Sequence, residues 1–351
     1  MGRIEAGDSA PWFRAPTLEG NARFEFDTVA GRYILLLFTA PGARGDSAAA
    51  FRLVLEHRAL FDDLRASFFG VLRNPDDGAL NGIRPAKPGL RFFIDRDGKI
   101  VVGFGGASGG PFWVLLDPAL RVIDTAPIAE GRRLFELLQS LPHPQDRLDS
   151  NAPVLTVERV FEPDMCRRLI DLFESAGGID SGFMRDIDGK TVGLIDYKHK
   201  RRADHVINDE GLRAELRARI EHHLLPSVKK AFQFEASRIE RYIVACYDGE
   251  SGGHFRAHRD NTTKGTAHRR FACTINLNTG YDGGDLQFPE YSARSYRAPP
   301  GGAVVFSCSM LHAATRVTRG RRYAFLPFLY DDMGAEIRER NQQFLVQAES
   351  G

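Results

Sequence analysis

An α/β half followed by an antiparallel α+β half is the fold class this sequence predicts, and three observations carry it. The chain has 351 residues, 43% of them hydrophobic, which is more than a single core of ordinary size requires. Up to about residue 141, apolar runs of strand length alternate with amphipathic helical stretches. Beyond residue 153, strand-length runs are separated by Gly-rich turns, and two helical stripes accompany them, a pattern that fits helices stacked on one face of an antiparallel sandwich. The segment 141–153, Leu-Pro-His-Pro-Gln-Asp-Arg-Leu-Asp-Ser-Asn-Ala-Pro, is polar and proline-rich and reads as the boundary. The expected domains are therefore 1–145 and 152–351.

In the first half, the run 33–38 (Tyr-Ile-Leu-Leu-Leu-Phe) has no polar face and suits a strand buried on both sides. Asp46 or Ser47 is placed to cap a helix whose inner face carries Phe51, Val54, Leu55 and Leu60. Runs 91–94 and 100–104 flank Asp95-Arg-Asp-Gly98, which predicts a hairpin with a left-handed glycine. Runs 112–116 and 120–123 repeat that pattern across Asp117-Pro118, and 132–139 closes the half as a helix.

This half resembles a peroxiredoxin, a thioredoxin-fold family, through Gly7-Asp-Ser-Ala-Pro-Trp-Phe13, Gly31-Arg-Tyr-Ile-Leu-Leu-Leu-Phe38, Pro41 and the two turns at Asp95 and Asp117. Family members place a nucleophilic thiol seven residues after the equivalent of Pro41 and a Thr or Ser three before that thiol. Those positions here hold Ala48 and Gly45, and no cysteine precedes Cys166. Without a thiolate there is no peroxide-reducing nucleophile. Arg44 and Asp46 read as a solvated loop. The expectation is a non-catalytic thioredoxin-like domain serving as a brace, a docking surface or a dimerisation surface. A homodimer is what the resemblance implies.

The second half opens with a short strand near 154–157 and a helix through 166–173 that ends at Gly177-Gly178. A longer helix, 210 to about 232, carries Leu212, Leu216, Ile220, Leu224 and Val228 at helical spacing and is interrupted by Pro226. Between them, 180–208 is polar and without period, and reads as a loop, either a lid or a surface excursion. Its charges, Arg185, Asp186, Asp188, Lys198, Lys200, Arg201 and Arg202, point to a polar or charged substrate.

The chemistry centres on Gly252-Gly-His-Phe-Arg-Ala-His-Arg-Asp260, between apolar runs 243–247 and 271–277 that read as strands. His258 and Asp260, two apart on extended chain, project from one face. Downstream come Gly283-Gly-Asp285, a Pro-Gly-Gly turn into the run 303–306, His312, and Arg322 ahead of a further apolar run. Two imidazoles and a carboxylate on one face of Fe(II) leave three positions open. A 2-oxo acid can chelate through two of them, and a distant carboxylate needs a cation such as the planar fork of Arg322.

Residues 152–332 resemble the prolyl-4-hydroxylase-like branch of the Fe(II)/2-oxoglutarate oxygenases. The likeness rests on Tyr247, Gly252-Gly-His-Phe, His258-Arg-Asp260-Asn, Gly283-Gly-Asp, Pro300-Gly-Gly-Ala-Val-Val-Phe, His312 and Arg322. It implies a double-stranded β-helix, or jelly roll, with flanking helices. It implies His258, Asp260 and His312 as iron ligands, Arg322 and Tyr247 as binders of 2-oxoglutarate, and oxygen as co-reactant, with ascorbate as a supporting reductant. Collagen-type members have Lys where Arg322 stands, and related halogenases replace the carboxylate that Asp260 retains. Asn261, Asn276 and Thr274 are candidates to orient ligands or cosubstrate from the pocket side.

Other features set limits. His254 and His258 have the spacing of a helical zinc pair, but Gly252-Gly253 and the extended context argue against a helix. His222 and His223 read as surface residues and His268 as a loop residue. A net charge of +1 gives no footprint for nucleic acid or an anionic membrane. No apolar run reaches the ~20 residues that span a bilayer. The first eight residues are too polar for a secretory signal, and the four dispersed cysteines suit a reduced, cytoplasmic protein. The expected function is hydroxylation of an unactivated C–H bond in an amino acid or related small metabolite, with succinate and CO2 as co-products. The alternatives are a prolyl or other side-chain hydroxylase of a peptide or protein, and a non-catalytic two-domain interaction protein.

Overall fold

A computed structural model describes residues 4–40, 44–74, 80, 83–106, 110–148 and 150–345. The chain divides into two compact units, Met1–Asn151 with Pro289–Ala293, and Ala152–Phe288 with Arg294–Gly351. The short segment Pro289–Ala293 thus groups with the first unit, although the sequence reading assigned it to the second.

The first unit is built on a five-stranded mixed sheet in the order Leu90–Ile94, Ala66–Leu72, Tyr33–Phe38, Phe112–Leu116, Val122–Pro127. The first three strands run parallel and the last two antiparallel, the thioredoxin-like arrangement expected of this half. Every residue of Tyr33–Phe38 is buried, because both faces of this central strand are covered. One face packs Leu35 and Leu37 against Phe51 and Val54 of the helix Arg44–Glu56 and against Leu134 and Leu138 of the helix Gly131–Ser140. The other carries stacked and edge-on rings of Phe13, Phe26, Phe69, Phe93 and Phe104.

Three expectations in this unit are corrected. Asp46 and Ser47 lie inside the helix Arg44–Glu56 rather than capping it or forming a loop, so the helix starts earlier than the first capping candidate. Leu55 is 47% exposed, because the buried stripe runs through Phe51 and Val54 and turns away before it. The run expected as a second hairpin strand is the short helix Lys99–Gly103. The Asp95 carboxylate accepts the backbone N–H groups of Ile100 and Val101, each at 3.0 Å, and this captures the chain in a helical turn after left-handed Gly98. Pro41, part of the peroxiredoxin resemblance, lies outside the described residues.

The second unit is an antiparallel sandwich, the expected jelly roll. Its larger sheet runs Arg238–Glu240, Phe328–Tyr330, Phe271–Asn276, Arg321–Phe325, Ile243–Asp248, Ala203–Val206, Ile179–Asp180, with Ala303–Ser307 joining Phe271–Asn276 to Leu155–Val157. The smaller runs Lys200–Arg201, His254–His258, His312–Ala314, Leu286–Gln287, Ser295–Tyr296. The helices Pro163–Ala176, Glu210–His223 and Leu225–Phe232 cover the outer face of the large sheet, packing Leu169, Leu216 and Val228 on Cys246, Ile275 and Phe325. The expected long helix is thus two, broken at Leu224, with Pro226 in the first turn of the second.

Strand periodicity then assigns the other face. Cys246, Cys273, Ile275, Tyr323 and Phe325 belong to the helix-side core. Their neighbours Tyr247, Thr274 and Arg322 must therefore point between the sheets. The segment 180–208 is not a loop. It forms the hairpin Phe183–Ile187 with Lys190–Leu194, turning at Asp188 and Gly189, and then two sheet strands, Lys200–Arg201 and Ala203–Val206.

Candidate active site

The smaller sheet positions the candidate ligands. His258 and His312 are direct cross-strand partners in the antiparallel pairing of His254–His258 with His312–Ala314. Their rings therefore share a face, with centroids 4.3 Å apart. Asp260 lies just past the strand end, its N–H donating to the Cys308 carbonyl at 3.0 Å. Its carboxylate reaches both imidazoles, Oδ1 3.4 Å from His258 Nε2 and Oδ2 3.3 Å from His312 Nε2. One donor atom from each of the three lies within 4.8 Å of the others.

The other side of each ring is occupied. His258 Nδ1 lies 2.8 Å from the Arg256 carbonyl and His312 Nδ1 3.1 Å from that of Met310. A carbonyl only accepts, so each Nδ1 donates to it, and the opposite nitrogen of each ring, Nε2, is turned toward the position shared with Asp260. Phe255 stacks on His258 at 3.5 Å, and Phe306 packs against His312 at 4.6 Å. Burial, then the neighbouring His258, lowers His312 to about 4, so it is a neutral donor at physiological pH. Burial alone would raise Asp260, but His312 and His258 hold it well below the usual carboxylate range.

These residues open into a cavity of about 490 Å³ including its mouth, whose walls include Tyr247, Phe255, Thr274, Phe306, Arg322 and Phe328. Tyr247 and Arg322 are themselves cross-strand partners in the larger sheet, and the guanidinium sits 5.0 Å over the tyrosine ring. Arg322 is only 4% exposed. The Gly283-Gly284 turn explains how its stem fits. Gly284 has φ +72°, and a Cβ there would lie 2.9 Å from Arg322 Cδ and 2.8 Å from Val317 Cγ2.

The remaining candidates separate. Thr274 lines the main cavity. Asn276 lines a smaller adjacent cavity of about 220 Å³, which shares Thr274 and Arg322 with the main one. Its amide is committed to structure, donating to the Asn278 and Ala298 carbonyls and accepting from the Tyr281 hydroxyl at 2.8 Å. Asn261 donates to Ser309 Oγ at 2.8 Å. His254 is on a strand with its ring nitrogens facing the Gly252 and Lys198 carbonyls, so it does not pair with His258 as a ligand. His222 and His223 are exposed on their helix. His268 is 2% exposed and pairs through Nε2 with Glu240 at 2.5 Å.

Two arginines on the cavity wall went unrecognised as site residues from sequence, Arg202 only as one of several charges and Arg241 altogether. Arg202, between the strands Lys200–Arg201 and Ala203–Val206, is two positions from Asp204 and pairs with it at 2.6 Å. That spacing was readable, but only if 180–208 is taken as strand.

Residues 242–330 match the family model described as the 2OG-Fe(II) oxygenase superfamily. The second unit contains a 2OG-Fe(II) oxygenase domain. A PKHD-type hydroxylase of Synechococcus sp. (strain JA-2-3B'a(2-13)) is 28% identical over 117 residues, covering 30% of this chain and 51% of that protein. The chain thus spans about half the length of this curated relative. Among solved structures, a prolyl hydroxylase of Trichoplax adhaerens in complex with a hypoxia inducible factor peptide fragment aligns with 54% of this chain and 86% of its own, at 15% identity and TM-score 0.40. A thiol:disulfide interchange protein DsbE of Chlorobium tepidum, described as putative, aligns with 39% of this chain and 97% of its own, at 20% identity and TM-score 0.33.

The side chains in the oxygenase domain fit the group its family implies, Fe(II) with 2-oxoglutarate and oxygen. Two imidazole nitrogens and one carboxylate form the donor set that suits Fe(II). Arg322 supplies a buried guanidinium in the same cavity. Among the described residues no helix is long and apolar enough to cross a membrane.

Proposed function

We propose that the protein is an Fe(II)- and 2-oxoglutarate-dependent dioxygenase that hydroxylates an unactivated C–H bond of an amino acid or related small metabolite, releasing succinate and CO2. The observation that supports this reading is the convergence of His258, Asp260, His312 and Arg322 on one cavity from three separate parts of the chain. The PKHD-type hydroxylase among its relatives is consistent with hydroxylation as the outcome.

When bound, the metal and cosubstrate supply the oxidising power, and the protein supplies geometry. His258, Asp260 and His312 would hold the metal by one face, while the Arg256 and Met310 carbonyls fix the two rings. Arg322 would bind the far carboxylate of 2-oxoglutarate, with Tyr247 and Thr274 beside it. Phe255, Phe306 and Phe328 limit water around the reacting position.

A second reading, hydroxylation of a peptide or protein side chain, draws on exposed apolar residues along 179–206. Ile179, Met184, Ile187, Ile195, Tyr197 and Val206 are between 37% and 81% exposed, apolar surface that a bound polypeptide would cover. Incubating the full chain with Fe(II), ascorbate and 2-oxoglutarate and measuring succinate tests the activity. Screening amino acids against proline-containing peptides for a mass gain of one oxygen separates the two substrate classes. Metal binding without succinate across both panels would favour a non-catalytic scaffold.

A further inference from the structure

The charge inventory of the cavity is unbalanced. Its wall carries three guanidiniums, Arg202, Arg241 and Arg322, but one carboxylate, Asp260. Under the function proposed above, a divalent metal, Asp260, the two carboxylates of 2-oxoglutarate and Arg322 cancel in formal charge. Arg202 and Arg241 are left over, and among the described residues they share a single acidic partner. Asp204 Oδ2 accepts from Arg202 Nη2 at 2.6 Å and from Arg241 Nη2 at 3.2 Å. One cation is therefore in excess on the wall that the substrate would face. Glu240, the acid next to Arg241 in sequence, is engaged by Arg269 at 2.8 Å and by His268.

We propose that Arg202 and Arg241 form an oxyanion subsite, and that the substrate carries a carboxylate or phosphate group which this pair binds while the reacting carbon faces the metal position. The inference rests on the dioxygenase reading. Arg202 is the fixed member, 4% exposed at its side chain and tied to the Tyr247 hydroxyl at 3.3 Å as well as to Asp204. Arg241 is the accessible member, with 28% of its side chain exposed. Its backbone sits at φ +67°, in the left-handed region that a non-glycine residue occupies only when its surroundings hold it there. Burial, then repulsion from Arg202, draws Arg241 down to about 10, so it remains a cation at neutral pH. The same field acts on Lys200 behind the wall, lowered to about 6 by burial first and Arg202 second. Two guanidiniums sharing one acceptor still present N–H donors to a planar or tetrahedral oxyanion, a geometry a single ammonium does not offer.

The test uses the full chain loaded with Mn(II) and saturated with 2-oxoglutarate. Thermal shift is measured against carboxylic acids and their carboxamides, and against phosphate monoesters and their parent alcohols. Stabilisation by Mn(II) with 2-oxoglutarate alone reports the underlying reading, so its loss is distinguishable from failure of the subsite. The expected result is a shift with at least one acid or phosphate ester and none with its neutral counterpart. The affinity for that ligand should weaken about tenfold or more in Arg241→Gln and recover in part in Arg241→Lys. The two arms show whether the oxyanion is a carboxylate or a phosphate. Equal shifts from acids and their neutral counterparts, no shift from any anion, or an Arg241→Gln variant with wild-type affinity would overturn the subsite.

Discussion

His258 and His312 face each other directly across an antiparallel strand pair, their ring centroids 4.3 Å apart, with Asp260 within 3.4 Å of both. Strand register thus sets the spacing of the candidate metal ligands. A shift of one residue in either strand would turn one imidazole to the opposite face.

Removing one of these donors should abolish tight metal binding. Loss of a partner that merely orients a metal ligand costs about 10–100-fold in affinity, so His312→Ala and Asp260→Ala should each weaken Mn(II) binding by more than about 100-fold. Calorimetric titration of wild type and variants measures this directly. Comparable affinities would show that these side chains only hydrogen-bond to one another.

Arg322→Gln removes both the charge and the planar fork, whereas Arg322→Lys keeps the charge alone. The expected order of 2-oxoglutarate affinity is wild type, then Lys, then Gln, with a loss of about tenfold or more for Gln. Thermal melts of each variant guard against misfolding, because a glutamine in this buried site retains polar atoms that need partners.

What the sequence made legible follows from where its signals are local. His258, Asp260, His312 and Arg322 stand at fixed offsets from apolar runs, and the resemblance they carry also singled out Tyr247, which lines the cavity with Thr274 and Arg322. The helix-side residues Leu212, Leu216, Ile220, Leu224 and Val228 are all buried, as their spacing requires. The segment 180–208 misled because its hairpin buries only Thr191 among its strand positions, so no hydrophobic period marks it. The run after Asp95 misled because a side-chain cap overrode the strand propensity of Ile100, Val101 and Val102. Arg241 carries no local signal, since it meets Asp204 only through the tertiary fold, from the connection between Arg238–Glu240 and Ile243–Asp248.

Lys200 makes folding stability depend on pH. It is 3% exposed, donates to Ser181 Oγ and the Gly182 carbonyl, and is lowered to about 6 from 10.5, by burial first and Arg202 second. Between those values the unfolded chain binds a proton that the folded one lacks, so stability rises with pH across the window. The slope contribution is at most about 1.4 kcal/mol per pH unit. Urea unfolding between about pH 6.5 and about pH 9.5 should show this rise, and Lys200→Met should flatten it. An unchanged slope in the variant would assign the dependence to another group.

All four cysteines are free and buried. Burial raises the thiols of Cys166 and Cys246 to about 11, and raises Cys273 and Cys308 as well. Native protein at pH 8 should therefore react slowly with a thiol reagent and release four reactive thiols on unfolding. Rapid labelling of a native thiol would reveal a reactive cysteine and reopen thiol chemistry in this chain.

The most direct measurement is calorimetric titration of 2-oxoglutarate into the full chain with and without Mn(II). The expected result is one equivalent bound per chain when the metal is present, far weaker binding without it, and loss of the metal dependence in Asp260→Ala. Binding that ignores the metal, or no binding in either condition, would contradict the assignment of His258, Asp260, His312 and Arg322 to a single oxygenase site.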